Sequence, residues 1–258
     1  MDKEYHSHNL EILSQLYCKT SMENKWLANL ETLKLQYCTL LYAIPSSILA
    51  LLKNLKELEI RDSDQVEAIF DINDDTQIKE IESQLKILTL NGLSKLKHVW
   101  KKDTNKILIF RNLREIVVSD CAKLQTLFPA SLAKNLKSLK SLQIQNCAKF
   151  HEIVEKEEDT EKKLVLPCLE KLDLFSLPQL TCFYARTFTL ECPALNKISV
   201  VKCDKLELFQ SAHSMGESTS VNKKPLISSL EVSVHQRINT VEFFPSFFLS
   251  IITNLNFY

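Results

Sequence analysis

The sequence predicts an α/β repeat solenoid, in which one strand-and-turn unit is stacked many times, and three observations support this prediction. First, an L-x-x-L-x-L pattern recurs along the chain at intervals of 25 to 32 residues. Second, further apolar positions keep a constant distance from each copy of the pattern. Third, the segments between the copies are charged, polar or begin with proline, as turns and loops do.

Each repeat unit is numbered from its first leucine or isoleucine, which is position 0. About nine units, the last incomplete, start at Leu30, Leu55, Leu85, Leu113, Leu139, Leu169, Leu195, Ile227 and Ile252. In the eight full units, positions 0, 3, 5, 11 and 14 are always apolar. Positions 3 and 5 alternate with exposed ones and so lie on the inner face of a short strand, while positions 11 and 14 fold back over the same core. No unit can bury this face alone, so the pattern predicts a curved leucine-rich-repeat solenoid with parallel strands on its concave face.

The segments between the strands predict short helices, turns and loops on the convex side. The stretches PSSILALLKNL (45–55) and PASLAKNLKSL (129–139) carry apolar residues at helical spacing, with proline at the expected first helical position. Segments 71–84, 155–163 and 211–225 are charged or polar and predict solvated loops.

The predicted domain organisation is a leader or partial capping repeat over residues 1–29 and a leucine-rich-repeat domain over residues 30–258. The first residues lack the apolar stretch of a secretory signal, and no window is long and apolar enough to span a membrane. We therefore expect no membrane span and a cytoplasmic location, with the nucleus as the alternative.

Composition excludes several classes of function. The 32 basic and 32 acidic residues cancel, so no bulk electric field favours nucleic acid or an anionic membrane. The two glycines, Gly92 and Gly216, are far fewer than the usual ~7% of a chain. Glycine-rich phosphate-binding loops are therefore excluded, and no cofactor is expected.

The cysteines recur at one position of the unit. Position 8 holds Cys38, Cys121, Cys147 and Cys203, and elsewhere Ser63, Leu93, Leu177 and His235. This position is expected to turn inward, where a small, weakly polar side chain satisfies backbone groups of the turn. A disulfide or metal ion joining Cys121 and Cys147 is the alternative. A structural role is favoured because the sequence has no Cys-x-x-Cys pair, no glycosylation acceptor and no secretion signal.

No set of residues predicts catalysis or a metal site. His6 and His8 form an isolated H-x-H, and HEIVE (151–155) has one histidine instead of the two of a zinc protease. Spacing nominates no Ser, His and Asp set. The chain is therefore predicted not to be an enzyme.

The strand residues at positions 2, 4, 6 and 7 are expected to face solvent and to offer a binding surface. Late in the chain this face combines an aromatic residue with lysines, which is typical of a protein-binding hot spot. The candidate residues are Lys171, Asp173, Phe175, Lys197, Val201 and Lys202. The alternative interpretation is a solvated face with scattered apolar side chains, which requires no function.

Several phrases of the sequence resemble one protein family. The stretch CAKLQTLFPASLAKNLKSLKSLQIQNCAKFHEIVEKEE (121–158) is similar to repeats of plant disease-resistance proteins of the coiled-coil, NB-ARC (nucleotide-binding), leucine-rich-repeat class. Similar phrases occupy residues 62–71, 166–184 and 192–209, and the resemblance covers roughly residues 30–235. It implies a module that recognises pathogen effectors or modified host proteins and that contacts the NB-ARC module in full-length relatives.

Neither an NB-ARC module nor a coiled coil accompanies these repeats in the sequence. The resemblance therefore leads us to expect a fragment or truncated paralogue that lacks the ATPase switch. The alternatives are an F-box-like leucine-rich-repeat substrate adaptor, whose repeats also favour cysteine at the strand end, or another cytosolic interaction scaffold.

Overall fold

The structure is a computed structural model of the chain. It describes residues 27–39, 41–71, 80–101, 107–155, 163–184, 189–206, 231–235 and 240–244. The predicted leader, apart from residues 27–29, lies outside this part of the chain, as do the loop 211–225 and the unit that starts at Ile252.

The main sheet takes one strand from each of the first seven units. Its parallel strands are β1 (Thr32–Gln36), β3 (Glu57–Arg61), β6 (Ile87–Asn91), β9 (Glu115–Ser119), β11 (Ser141–Gln145), β14 (Lys171–Phe175) and β17 (Lys197–Val201). Every strand covers positions 2 to 6 of its unit, and residues at the same position are paired between neighbours. The predicted leucine-rich-repeat solenoid and its register are confirmed.

The predicted core columns are also confirmed. In the first seven units, the residues at positions 0, 3, 5, 11 and 14 that the structure describes are buried, except Leu30 and Leu206, which are partly buried against the same core. Between the units, Trp100 stacks on Phe70 with ring centroids 4.9 Å apart and meets the edge of Phe110 at 4.7 Å. These contacts make the core continuous along the solenoid, as stacked repeats require.

A second layer of short parallel strands covers the other side of the core. After the turn, these are β2 (Ile44–Pro45), β4 (Ala68–Asp71) and β7 (His98–Lys101), then β10 (Thr126–Pro129), β12 (Glu152–Glu155) and β15 (Cys182–Tyr184). Two further pairs precede position 0: β5 (Glu80–Glu82) with β8 (Ile107–Ile109), and β13 (Lys163–Val165) with β16 (Thr189–Glu191).

This layer corrects two of the predicted loops. Segment 71–84 contains β5, in which Ile81 is buried, and segment 155–163 supplies the last residue of β12 and the first of β13. Although the surrounding sequence is charged, the three-residue strands β5 and β13 form by pairing with β8 and β16 of the next unit. The remaining residues of both segments lie outside the described ones.

In two units, a short helix takes the place of the short strand that precedes position 0 of the next unit. Both helices lie in the segments that were predicted to be helical. These helices are α1 (Ser46–Leu49) and α2 (Ala130–Ala133). Pro45 and Pro129 take the N-cap with extended backbone, one residue before the first helical position predicted for them. Proline suits this place because its backbone has no N–H group to be left unpaired.

The eighth unit departs from the prediction. Strands β18 (Glu231–His235) and β19 (Thr240–Phe244) form an antiparallel hairpin, and β19 pairs antiparallel with β17. A parallel neighbour was predicted instead. Only four residues separate these two strands, and a parallel connection requires a dozen or more. The side chains of this hairpin, including His235, lie outside the described ones.

Candidate protein-recognition surface

Each strand of the main sheet ends in the same left-handed turn. Position 7 has positive φ in all seven described units, at Tyr37, Asp62, Gly92, Asp120, Asn146, Ser176 and Lys202. In the first six, its backbone N–H donates to the position 6 carbonyl of the next unit, at 2.8 to 3.2 Å. Aspartate, asparagine and glycine tolerate this conformation best, so the residue types carried a signal that the sequence-based prediction did not use.

The inward turn of position 8 is confirmed. Cys38, Ser63, Leu93, Cys121, Cys147, Leu177 and Cys203 are all buried. The thiols of Cys121 and Cys147 each donate to the position 6 carbonyl of their own unit at 3.3 Å, and the Ser63 hydroxyl does the same at 2.8 Å. The Ser63 oxygen also accepts a bond from the backbone N–H of Cys38 at 3.0 Å. These side chains therefore satisfy backbone groups of the turn, as predicted.

The same environment shifts the pKa of several thiols. A hydrogen bond with Cys147, together with burial, raises the pKa of the Cys121 thiol. Burial alone raises the pKa of Cys192 to about 12. The seven cysteines that the structure describes are all free thiols. Cys147 differs, because a hydrogen bond with Cys121 lowers the pKa of its thiol against the effect of burial. All four cysteines at the strand ends are buried and support the fold.

On the open face of the main sheet, the first units pair their polar side chains with one another. Glu59 forms ion pairs with Lys34, at 3.1 Å, and with Arg61. Although burial acts in the opposite direction, the hydrogen bonds from these two cations lower the pKa of the Glu59 carboxyl. Gln36 donates to Asp62 at 3.2 Å, so most of this region is internally compensated.

The middle units continue the polar network. Asn146 donates from its amide to Asp120 at 3.0 Å, and Asn91 donates to Ser119. Ser119 is buried on the strand although its position faces the open side. Groups that already have partners contribute little to binding unless a ligand replaces those partners.

The six candidate residues lie on the last two parallel strands and the turn after them, and we call them the Phe175 patch. Phe175, Val201 and Lys202 are adjacent at the end of these strands, whereas Lys171 and Lys197 begin them. Phe175 is exposed by 39% and is the register partner of Val201 in the next strand. The Lys202 ammonium lies 5.7 Å from the centre of the Phe175 ring, a cation–π contact. Lys171 and Lys197 are also register partners, but Lys171 is paired with Asp173 at 2.6 Å.

The Phe175 patch thus combines an exposed aromatic ring, an adjacent apolar side chain and two exposed lysines, Lys202 beside the ring and Lys197 at the start of β17. Such an arrangement can bury an apolar side chain of a partner and pair with a carboxylate beside it.

The described part of the chain offers little else that could carry chemistry. Within it, no group of three or more His, Cys, Asp or Glu residues could hold a metal ion. Neither of the two short helices approaches the length and apolar composition of a membrane span.

Comparison with known proteins agrees with the fold. No curated protein matches the sequence significantly. Residues 2–148, more than half of the chain, match the family described as plant disease resistance protein RPS2-like, leucine-rich repeats. The chain therefore belongs to the RPS2-like leucine-rich-repeat family of plant disease resistance proteins.

Proposed function

We propose that this chain is the protein-recognition module of an innate immune receptor, binding a pathogen effector or an effector-modified host protein without catalysing a reaction. The expected location is the cytoplasm, where such partners would be met. In longer relatives that carry an NB-ARC module, that module is the second expected partner.

The observation that carries the proposal is the contrast along the open face. The first units compensate their charges internally, through pairs such as Lys34 with Glu59. The first unit also exposes a ring, Tyr37, but the exposed Phe175 ring lies beside Lys202, and neither Lys202 nor Lys197 forms an ion pair with a described residue. Binding energy in protein interfaces concentrates at aromatic and basic residues of this kind, so the patch is the proposed centre of the interface.

The test begins with an interaction screen of the full chain against pathogen effectors and host proteins, followed by calorimetry with each purified partner. Phe175→Ala and Lys197→Glu, combined, should weaken the binding of a true partner by at least about tenfold, as loss of a hot spot does. The matched control combines Tyr42→Ala and Lys149→Glu, which change an exposed aromatic residue and an exposed lysine away from the patch. This control should change affinity by less than about twofold.

Two results would contradict the proposal. If the control weakens binding as much as the patch variant, recognition does not centre on Phe175. If neither effectors nor host proteins bind the wild-type chain in calorimetry, the recognition function itself is wrong.

A further inference from the structure

A row of cations runs along the opposite edge of the main sheet. Position 1, one residue before each strand, holds Lys56, Lys86, Arg114 and Lys140 in four successive units. We call these four residues the basic row. Arg114 and Lys140 are exposed, and the other two are partly exposed.

Side chains at position 1 of neighbouring units are close enough to touch. At one end of the basic row, the Lys56 ammonium lies 2.6 Å from Glu31 of the preceding unit. At the other end, the Lys140 ammonium lies 2.9 Å from Glu170 of the following unit. Both acids also occupy position 1, so the geometry permits ion pairs wherever opposite charges are adjacent.

In the middle of the row, only like charges are adjacent. The backbone N–H groups of Lys86 and Arg114 donate to the carbonyls of Lys56 and Lys86 at 2.7 and 2.8 Å, which fixes the spacing of the row. Like charges directly opposite each other on neighbouring strands destabilise a sheet. The row is therefore unfavourable within the chain itself.

No acidic side chain among the described residues compensates Lys86 or Arg114 by an ion pair. Glu57 and Glu115 are exposed at the next position of two of these strands, but neither lies within ion-pair distance of the row. Arg111, which is also exposed, is paired with Glu82 at 3.8 Å and adds no uncompensated charge to this edge. A local arrangement that opposes stability without internal compensation is expected at functional sites.

We propose that the basic row binds an extended acidic segment of a partner protein that crosses the strands. Three intervals of ~4.8 Å make the row about 14 Å long, which matches about four extended residues at ~3.3 Å each. A segment with carboxylates on alternate residues would place them near the two uncompensated cations.

An acidic polypeptide fits this surface better than a nucleic acid does. The four positions of the row contain no aromatic side chain on which bases could stack. The row precedes β3, β6, β9 and β11, whereas the Phe175 patch lies on β14, β17 and the turn after β17, so this proposal does not depend on the proposed function.

The test measures fluorescence anisotropy of a labelled peptide with alternating glutamate and serine, added to the purified full chain. The reference peptide has glutamine in place of glutamate and should not bind. The variant Lys86→Glu with Arg114→Glu should weaken binding of the acidic peptide at least about tenfold at ~50 mM salt, and added salt should weaken wild-type binding.

The matched control is Lys123→Glu with Lys149→Glu, two exposed lysines in the turns after the strands. It changes the net charge by the same amount but should change peptide affinity less than about twofold. Phe175→Ala should leave peptide binding unchanged, which separates this proposal from the proposed function.

Melting temperature provides a second measurement. In the row variant, each introduced carboxylate lies beside Lys56 or Lys140, so its melting temperature should equal or exceed that of the wild type. Loss of peptide binding then cannot be attributed to misfolding. Equal affinities of the row variant and the control would overturn the proposal. So would tighter, row-dependent binding of a single-stranded RNA octamer, because it would assign the row to nucleic acid.

Discussion

At the scale of single residues, the turn that ends each strand is the feature repeated most strictly. Its position 7 residue has φ between 46° and 64° in all seven described units, yet only Gly92 is a glycine. Five of the other six positions, all but Lys202, hold a conformation that side chains usually disfavour while their backbone N–H continues the hydrogen bonds of the sheet.

Gly92 is the position where this turn is predicted to be least tolerant. A Cβ atom added there would lie 2.5 Å from the Asp62 carboxylate, in addition to the strain of φ +64°. We expect Gly92→Ala to lower the free energy of unfolding by about 1–2 kcal/mol in urea titrations. Gly92→Asn should cost less, because asparagine accepts positive φ.

Ser176→Ala provides the control for this prediction, since Ser176 already adopts φ 55° with a side chain. It should change stability by no more than about 0.5 kcal/mol. A Gly92→Ala variant as stable as this control would show that neither the backbone conformation nor the approach of Asp62 restricts this turn.

The sequence identified buried and exposed residues better than it identified this backbone geometry. Burial depends on hydrophobicity, which periodicity reports directly, as at Leu142 and Ile144. Positive φ depends on hydrogen bonds to the next unit, which composition reflects only where Asp62, Asp120, Asn146 or Gly92 occupies the turn. Tyr37 and Lys202 give no such signal.

At the scale of elements, the strands of the main sheet were predictable and those of the second layer were not. A five-residue strand such as β11 shows two buried residues, Leu142 and Ile144, that alternate with partly exposed ones. Strand β5 has one buried residue, Ile81, between two exposed glutamates, and this pattern is too short to be distinguished from a loop. These short strands form because the next unit supplies a backbone partner.

The same layer contains a carboxyl group whose ionisation opposes folding. Glu152 lies in β12, with the backbones of Thr126 and Cys182 on either side. Burial raises the pKa of the Glu152 carboxyl above its usual 4.5, so the folded state favours the protonated form. Its contribution to stability is therefore largest below about pH 4.5 and is lost as the pH rises through the folded-state pKa.

We expect Glu152→Gln to increase the free energy of unfolding at pH 7 by roughly 0.5–1 kcal/mol, because the amide has no charge to desolvate. The increase should shrink toward zero near pH 4, where the wild-type carboxyl is protonated. Urea titrations at both pH values would measure it. Glu80→Gln, which changes an exposed glutamate in β5, is the control and should alter stability by no more than about 0.5 kcal/mol at either pH. Equal effects at both pH values would contradict a raised pKa.

At the scale of the whole molecule, the sequence predicted the solenoid because one core is repeated in every unit. It did not predict how the parallel order ends. The hairpin of β18 and β19 keeps apolar residues such as Val232 and Val241 at the predicted spacing, but its strands are antiparallel. Apolar spacing determines which residues lie on one face of a strand and does not determine the strand's direction. The location of the Phe175 patch followed from the register, whereas its cation–π contact required the conformation of the turn at Lys202.

The stacked architecture predicts how damage to one unit spreads. Leu142 is fully buried in β11, whose backbone pairs with β9 and β14 only. Leu142→Asp would bury an unpaired carboxylate, and because each unit contacts only its neighbours, the damage should be greatest nearby. Hydrogen exchange followed by mass spectrometry should show lost protection in β9, β11 and β14, with protection retained in β1 and β3. Gln145→Asp, a partly exposed residue of the same strand whose register partners Ser119 and Phe175 are uncharged, is the control and should leave protection unchanged. Unchanged exchange in Leu142→Asp would contradict the buried register, while uniform loss in every strand would show that the solenoid unfolds as one cooperative unit.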